Sequence, residues 1–282
     1  MIKPLLCLIL SSFVTLAQPH LAVTIAPQLE SVRAIAGQDA VIEILVPPGA
    51  SPETYSPTAR EMKSLSRTQL LFTIGAPIET ALLPKIRGAF PNVQIIDATQ
   101  GMAFREIAEE HDHSHTHHHS GHDPHVWLSI SNMKLHASNV LNALCALIPE
   151  NQEIYQANYQ HYLQSLDKLD QELSALLLPK AGSAILVFHP AFGYLLDSYN
   201  IRQVSVEADG KQPSPKHLAH LIKLVKTQSI TLLYIQPQTN DGDAKALAKS
   251  LGLALRTLDP LPTEYSSGLR KLANAIANPA HD

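Results

Sequence analysis

The chain has 282 residues, 45% of them hydrophobic and 16% charged, with a formal net charge of −4. That apolar share excludes a disordered chain and a multi-span membrane protein, and the mild negative charge gives no general affinity for nucleic acid. The length suits two lobes better than one, and of the 15 histidines eight fall between His111 and His125.

Residues 1–17 read as a secretory signal peptide: Lys3 opens a short positive start, an apolar stretch follows, and Thr15, Leu16 and Ala17 precede the expected cleavage. No later segment approaches a membrane-spanning apolar run, so the mature chain is expected to be periplasmic, without stable membrane insertion. Cys145 alone remains after cleavage and can form neither an internal disulfide nor a thiolate metal site. Lying in the apolar run VLNALCALI, it is expected to be a buried small hydrophobe.

In chain order, strands are expected at 23–26 and 40–46 with a helix at 29–36 between them. A helix at 57–66, a strand at 70–74, a helix at 78–89 and a strand at 94–97 follow. Periodicity breaks over 101–126. Residues 149–178 then carry helical spacing through Tyr155, Tyr159, Tyr162, Leu163, Leu166, Leu169, Leu173, Leu176 and Leu177, a length of about 42 Å at 1.5 Å per residue. A second run has strands at 184–188, 202–206, 231–235 and 254–258, with helices at 190–199, 215–227, 244–251 and 266–277. Alternating strands and helices predict α/β structure: two Rossmann-like lobes with parallel sheets joined by one long linking helix. The expected division is an N-terminal lobe at 18–148, the helix at 149–178 and a C-terminal lobe at 179–282. No repeat of fixed period is visible.

Ligands of open parallel sheets bind beyond the carboxyl ends of the strands. Glu53 follows the strand at 40–46, His125 ends the polar segment 101–126, His189 follows the strand at 184–188, and Asp259 follows the last strand. Two imidazoles and two carboxylates, two residues from each lobe, can surround a divalent transition ion. Each residue also has a plainer reading: Glu53 as a solvated charge, His189 as a satisfied core histidine, Asp259 as a turn former before Pro260. The remaining histidines, including His136, His161, His217 and His220, are expected on helix surfaces.

The tract HDHSHTHHHSGHDPH contains no apolar residue and is expected to be a mobile surface loop over 111–122. Its His111, His113, His115, His117, His118, His119 and His122, with interleaved Asp112 and Asp123, form a set suited to collecting zinc, copper or nickel with modest affinity.

At this point the sequence resembles the zinc/manganese substrate-binding proteins of bacterial ABC transporters, the ZnuA-like cluster whose lobes are joined by one long helix. The matching stretches are PGASPETYSPTAREM, the His-rich tract running into DPHVWLS, FHPAFGYLLDSYN, GKQPSPKHLAHL, LLYIQPQTN and LDPL, in the family's order. The resemblance implies capture of a divalent ion and its delivery to an ABC permease with its ATPase, by a monomer that is not an enzyme. It places the metal ligands on Glu53, His125, His189 and Asp259 and makes the His-rich loop a scavenging or regulatory element. Most zinc-binding relatives have His where this chain has Glu53, and Gln236 replaces a frequent glutamate. The Glu53 exchange hardens the donor set towards manganese or ferrous iron, whereas the His tract favours zinc, the expected ion. A soluble zinc buffer or chaperone, or a zinc hydrolase with Glu53 as general base, are the rival readings; no HExxH helix or nucleophile elbow supports the latter.

Overall fold

A computed structural model describes residues 18–38, 40–106, 122–207, 213–238 and 241–279. The expected signal peptide and most of the His-rich loop lie outside these residues. The first lobe contains β1 (His20–Ile25), α1 (Leu29–Ala36), β2 (Val41–Val46), α2 (Ala59–Ser64), β3 (Leu70–Thr73), α3 (Pro77–Ala89), β4 (Gln94–Asp97) and α4 (Ile130–Leu147). The long α5 (Gln152–Leu177) links it to β5 (Ala184–Val187), α6 (Gly193–Ser198), β6 (Arg202–Ser205), α7 (Pro215–Thr227), β7 (Leu232–Ile235), α8 (Asp241–Leu251), β8 (Ala254–Thr257) and α9 (Tyr265–Ala277). The two-lobe α/β fold and its linking helix are therefore as expected.

Element limits differ modestly. β1 starts three residues earlier than apolar content suggested, because His20 at the sheet margin still pairs with Val41. The helix expected at 190–199 is confined to Gly193–Ser198, since Pro190 and a chain reversal at Ala191 delay its start. α4, visible in sequence only as an apolar helical run, is capped by Ser129, whose side chain accepts a hydrogen bond from the Asn132 amide.

Both sheets are wholly parallel, with orders β2-β1-β3-β4 and β6-β5-β7-β8. Relabelled within each lobe, these are the same order. The fold thus contains a topological repeat that has no counterpart in residue spacing, because strand order depends on crossovers rather than on period. In each sheet the chain reverses direction of growth beside its first strand, the position at which such sheets open a crevice for ligands.

The core follows the pleat. Ile185, Val187 and Tyr234 face a continuous apolar core that also contains the first sheet and α1, α4, α5 and α9. Leu186, Phe188, Val204, Leu233 and Ile235 point the other way, into a smaller cluster closed by α7 and α8. Tyr155, Tyr162, Leu166, Leu169, Leu173 and Leu177 form the buried stripe of α5, so the linker is itself part of the shared core. No helix among the described residues is long and apolar enough to cross a membrane.

Candidate metal centre

Glu53 lies in the connection from β2 to α2. Gly49 turns the chain with φ of 87°, and Ser51 then holds the segment: its carbonyl accepts from the amides of Thr54 and Tyr55, and its hydroxyl accepts from the Glu53 amide at 3.2 Å. Buried Pro52 is tied to α3, its carbonyl accepting from the Ile78 amide at 3.1 Å. The exposed Glu53 carboxylate is thereby carried on an anchored turn.

His125 precedes a short 3-10 turn, Val126–Leu128, whose three side chains are all buried. Asp123 folds back on this segment, Oδ1 accepting from the His125 amide at 3.0 Å and lying 2.8 Å from Nδ1 of the ring. With Nδ1–H donating to that carboxylate, the other ring nitrogen keeps its lone pair. Trp127 meets the His125 ring edge-on at 5.3 Å and donates its indole N–H to the Pro260 carbonyl at 2.6 Å, connecting the His125 turn to the loop that carries Asp259.

His189 leaves β5 beside the end of β6. Parallel pairing continues beyond the strands, with the Val206 amide donating to Val187 and the Glu207 amide to Phe188, each at 2.9 Å. This register places Glu207 Oε2 3.0 Å from His189 Nδ1, while Glu53 Oε1 lies 3.1 Å from His189 Nε2. Burial works against charge on this imidazole, yet hydrogen bonds and attraction from Glu207 and Glu53 outweigh it and raise its pKa to about 9. The same hydrogen bond to His189 holds Glu53 below the usual carboxylate range, against partial desolvation.

Glu53, His125 and His189 each contribute one potential ligand atom, and these atoms all lie within 4.8 Å of one another. The His125 and His189 rings meet edge to face with centroids 5.5 Å apart. Two donors bound to one tetrahedral zinc stand about 3.4 Å apart, so small side-chain movements bring the three onto an ion. Carboxylates at Nδ1 of both rings supply the outer support that fixes the orientation of metal-binding imidazoles.

Asp259 is not a member of this group. Its carboxylate is exposed and engaged in its own turn, Oδ1 accepting from the Leu261 amide at 3.0 Å and from Gln238 Nε2 at 3.2 Å. Gln236 Nε2 and Gln238 Oε1 are buried without a hydrogen-bond partner among the described residues.

Asp123 requires a correction. It is not a member of the solvated His tract but is 1% exposed, oriented on His125 and paired with Arg105 at 3.3 Å. His122 is the one tract histidine within the described residues; it bridges to Glu106 and stacks on Phe104 at 5.1 Å. His136 and His217 are also corrected, both being buried rather than on helix surfaces. His136 is enclosed by Ser31, 2.7 Å from Nδ1, and Gln28, 3.1 Å from Nε2, while His217 Nε2 lies 3.0 Å from the Ser205 carbonyl. Cys145 is half-buried rather than fully buried. Glu207 has a sequence signal of its own: it is the first polar residue beyond the strand expected at 202–206, at the same kind of strand exit as His189.

Two α/β lobes joined by a long helix, with two supported imidazoles and a carboxylate converging between them, define a metal-binding protein of the cleft type. Residues 21–278 match the ZnuA family, described as "Zinc-uptake complex component A periplasmic", and the chain belongs to that family. A crystal structure of ZnuA is 31% identical and superposes with a TM-score of 0.84, covering 93% of this chain and 98% of that one. A zinc-bound structure of a ZnuA 138–173 deletion mutant is 32% identical over 93% of this chain and 97% of that chain, also with a TM-score of 0.84. The zinc-binding lipoprotein AdcA of Streptococcus pneumoniae is 29% identical over 86% of this chain. The chain spans about half the length of that curated relative, covering 50% of it.

Proposed function

We propose that this protein captures zinc between its lobes, with Glu53, His125 and His189 as ligands, and delivers it to the permease of an ABC transporter with its ATPase. The observation that carries this reading is the pair of imidazoles converging on Glu53, each with its Nδ1 beside a carboxylate. Asp259 completes the ligand set when its exposed carboxylate leaves the Gln238 contact and turns towards the ion. Zinc is favoured over manganese by the His tract and by the zinc-bound family structure, against the harder donor set that Glu53 creates. His111, His113, His115, His117, His118, His119 and His122 act as a secondary collector.

Removal of residues 1–17 as a signal peptide places the mature protein in the periplasm, where it works as a monomer. Donors that close around an ion serve retention and release rather than hydrolysis, which requires a coordination position kept open for water. Competitive titration of metal-free protein with zinc and manganese tests the choice of ion. The expected outcome is one tight zinc per chain that excess manganese does not displace, with weaker zinc binding lost on deletion of 111–122. Displacement by manganese at comparable concentration would reverse the assignment of the ion.

A further inference from the structure

Arg105 stands apart from the ligands but touches both lobes near one of them. Its Nε donates to Asp197 Oδ2 on α6 at 2.6 Å, and its Nη1 donates to Asp123 Oδ2 at 3.3 Å. Asp123 divides its oxygens, giving Oδ2 to Arg105 and Oδ1 to the backbone and ring of His125. The same two residues are joined through their main chains. The Arg105 amide donates to the Tyr194 hydroxyl at 2.8 Å, that hydroxyl donates to the Asp123 carbonyl at 3.1 Å, and the Asp123 amide donates to the Arg105 carbonyl at 2.8 Å.

The guanidinium is seated on Gly193 at the start of α6. A Cβ at that position would lie 2.5 to 2.7 Å from three of its atoms, so this glycine is what admits the arginine. The collision is with the end of a flexible side chain, which can withdraw without disturbing the helix.

We propose that Arg105 is a positioning residue for the metal centre: clasped to α6, it holds Asp123 on the His125 ring and so slows release of the ion. The claim about release rests on the proposed zinc site; the claim about ring orientation does not. Without Arg105, Oδ2 of the buried Asp123 loses its hydrogen-bond partner, the carboxylate is free to rotate, and Nδ1 of His125 loses a fixed acceptor. Lysine cannot replace the two-sided contact, because it lacks the planar fork.

The test compares Arg105→Gln, Arg105→Lys and Gly193→Ala in the full chain. Nitrogen-15 spectra of the metal-free protein read the tautomer of His125, and mixing the zinc-loaded protein with excess chelator reads release. Gly193→Ala is expected to release zinc about 10-fold faster, as outer-shell substitutions typically weaken metal sites 10- to 100-fold, and to mix the His125 tautomers. Arg105→Gln and Arg105→Lys should do the same. Lowered thermal stability with unchanged ring spectra and release rates in all three variants would overturn the proposal and leave Arg105 a structural contact. If His189→Ala keeps the tight zinc of the parent, the site assignment fails instead, and the ring spectra still decide whether Arg105 positions His125.

Discussion

Glu53 and Glu207 face opposite nitrogens of His189, which makes this imidazole the most charge-sensitive member of the centre. In the metal-free protein it keeps its proton up to a pKa of about 9, although burial alone would remove it. A metal requires the neutral ring, so binding below pH 9 displaces a proton. Affinity should consequently rise about tenfold per pH unit between pH 7 and 9 from this group alone. Calorimetry of zinc binding at pH 7.5, in buffers of different ionisation enthalpy, should show about one proton released per tight zinc from this ring, and none released would contradict the charged state. His125 contrasts with His189: one carboxylate oxygen serves both its amide and its ring, fixing geometry rather than adding a second anionic neighbour.

The elements deliver these residues through register and through anchored turns. β5 and β6 place His189 beside Glu207 because their pairing runs two residues past the strands. Continuous apolar runs made the buried parallel strands legible, and heptad-like spacing made α5 legible, since both patterns reflect burial directly. Strand exits pointed to Glu53 and His189, and the end of the polar segment to His125; the fold brings the three together. The orientation of Asp259 was not legible, because an aspartate before proline reads equally as ligand or turn former, and here it makes the turn. Asp123 was misread for a related reason: beside a polar tract, composition conceals a carboxylate that is sequestered by one arginine.

His136, joining α4 to α1, was hidden by the polarity of its own side chain. Complete burial lowers its pKa to about 3, whereas in the unfolded chain it titrates near 6.5. The unfolded state therefore binds an extra proton as pH falls below 6.5, and the stability contributed by neutral His136 is lost progressively towards pH 3. Denaturant unfolding of metal-free protein between pH 7 and 5 should show this loss, with a limiting slope of about 1.4 kcal/mol per pH unit from this group. His136→Gln should reduce the slope by about one proton, and an unchanged slope would contradict the assignment.

At the scale of the molecule, the lobes repeat one strand order yet share a single principal core that passes through α5. Large apolar contact between lobes disfavours wide hinge opening between them. The topology supports this arrangement: β2, β5 and β6 end around the same cleft, and the Trp127 bond to Pro260 brings the segment after β8 to its edge. The most direct test of zinc capture by this cleft is zinc-edge X-ray absorption on the parent chain and on His189→Ala, each loaded with one equivalent of zinc under chelator competition. The parent should hold one zinc with two imidazole and at least one carboxylate donor, and His189→Ala should lose that zinc to the chelator. Retention of the same coordination in His189→Ala would show that the tight ion is held elsewhere.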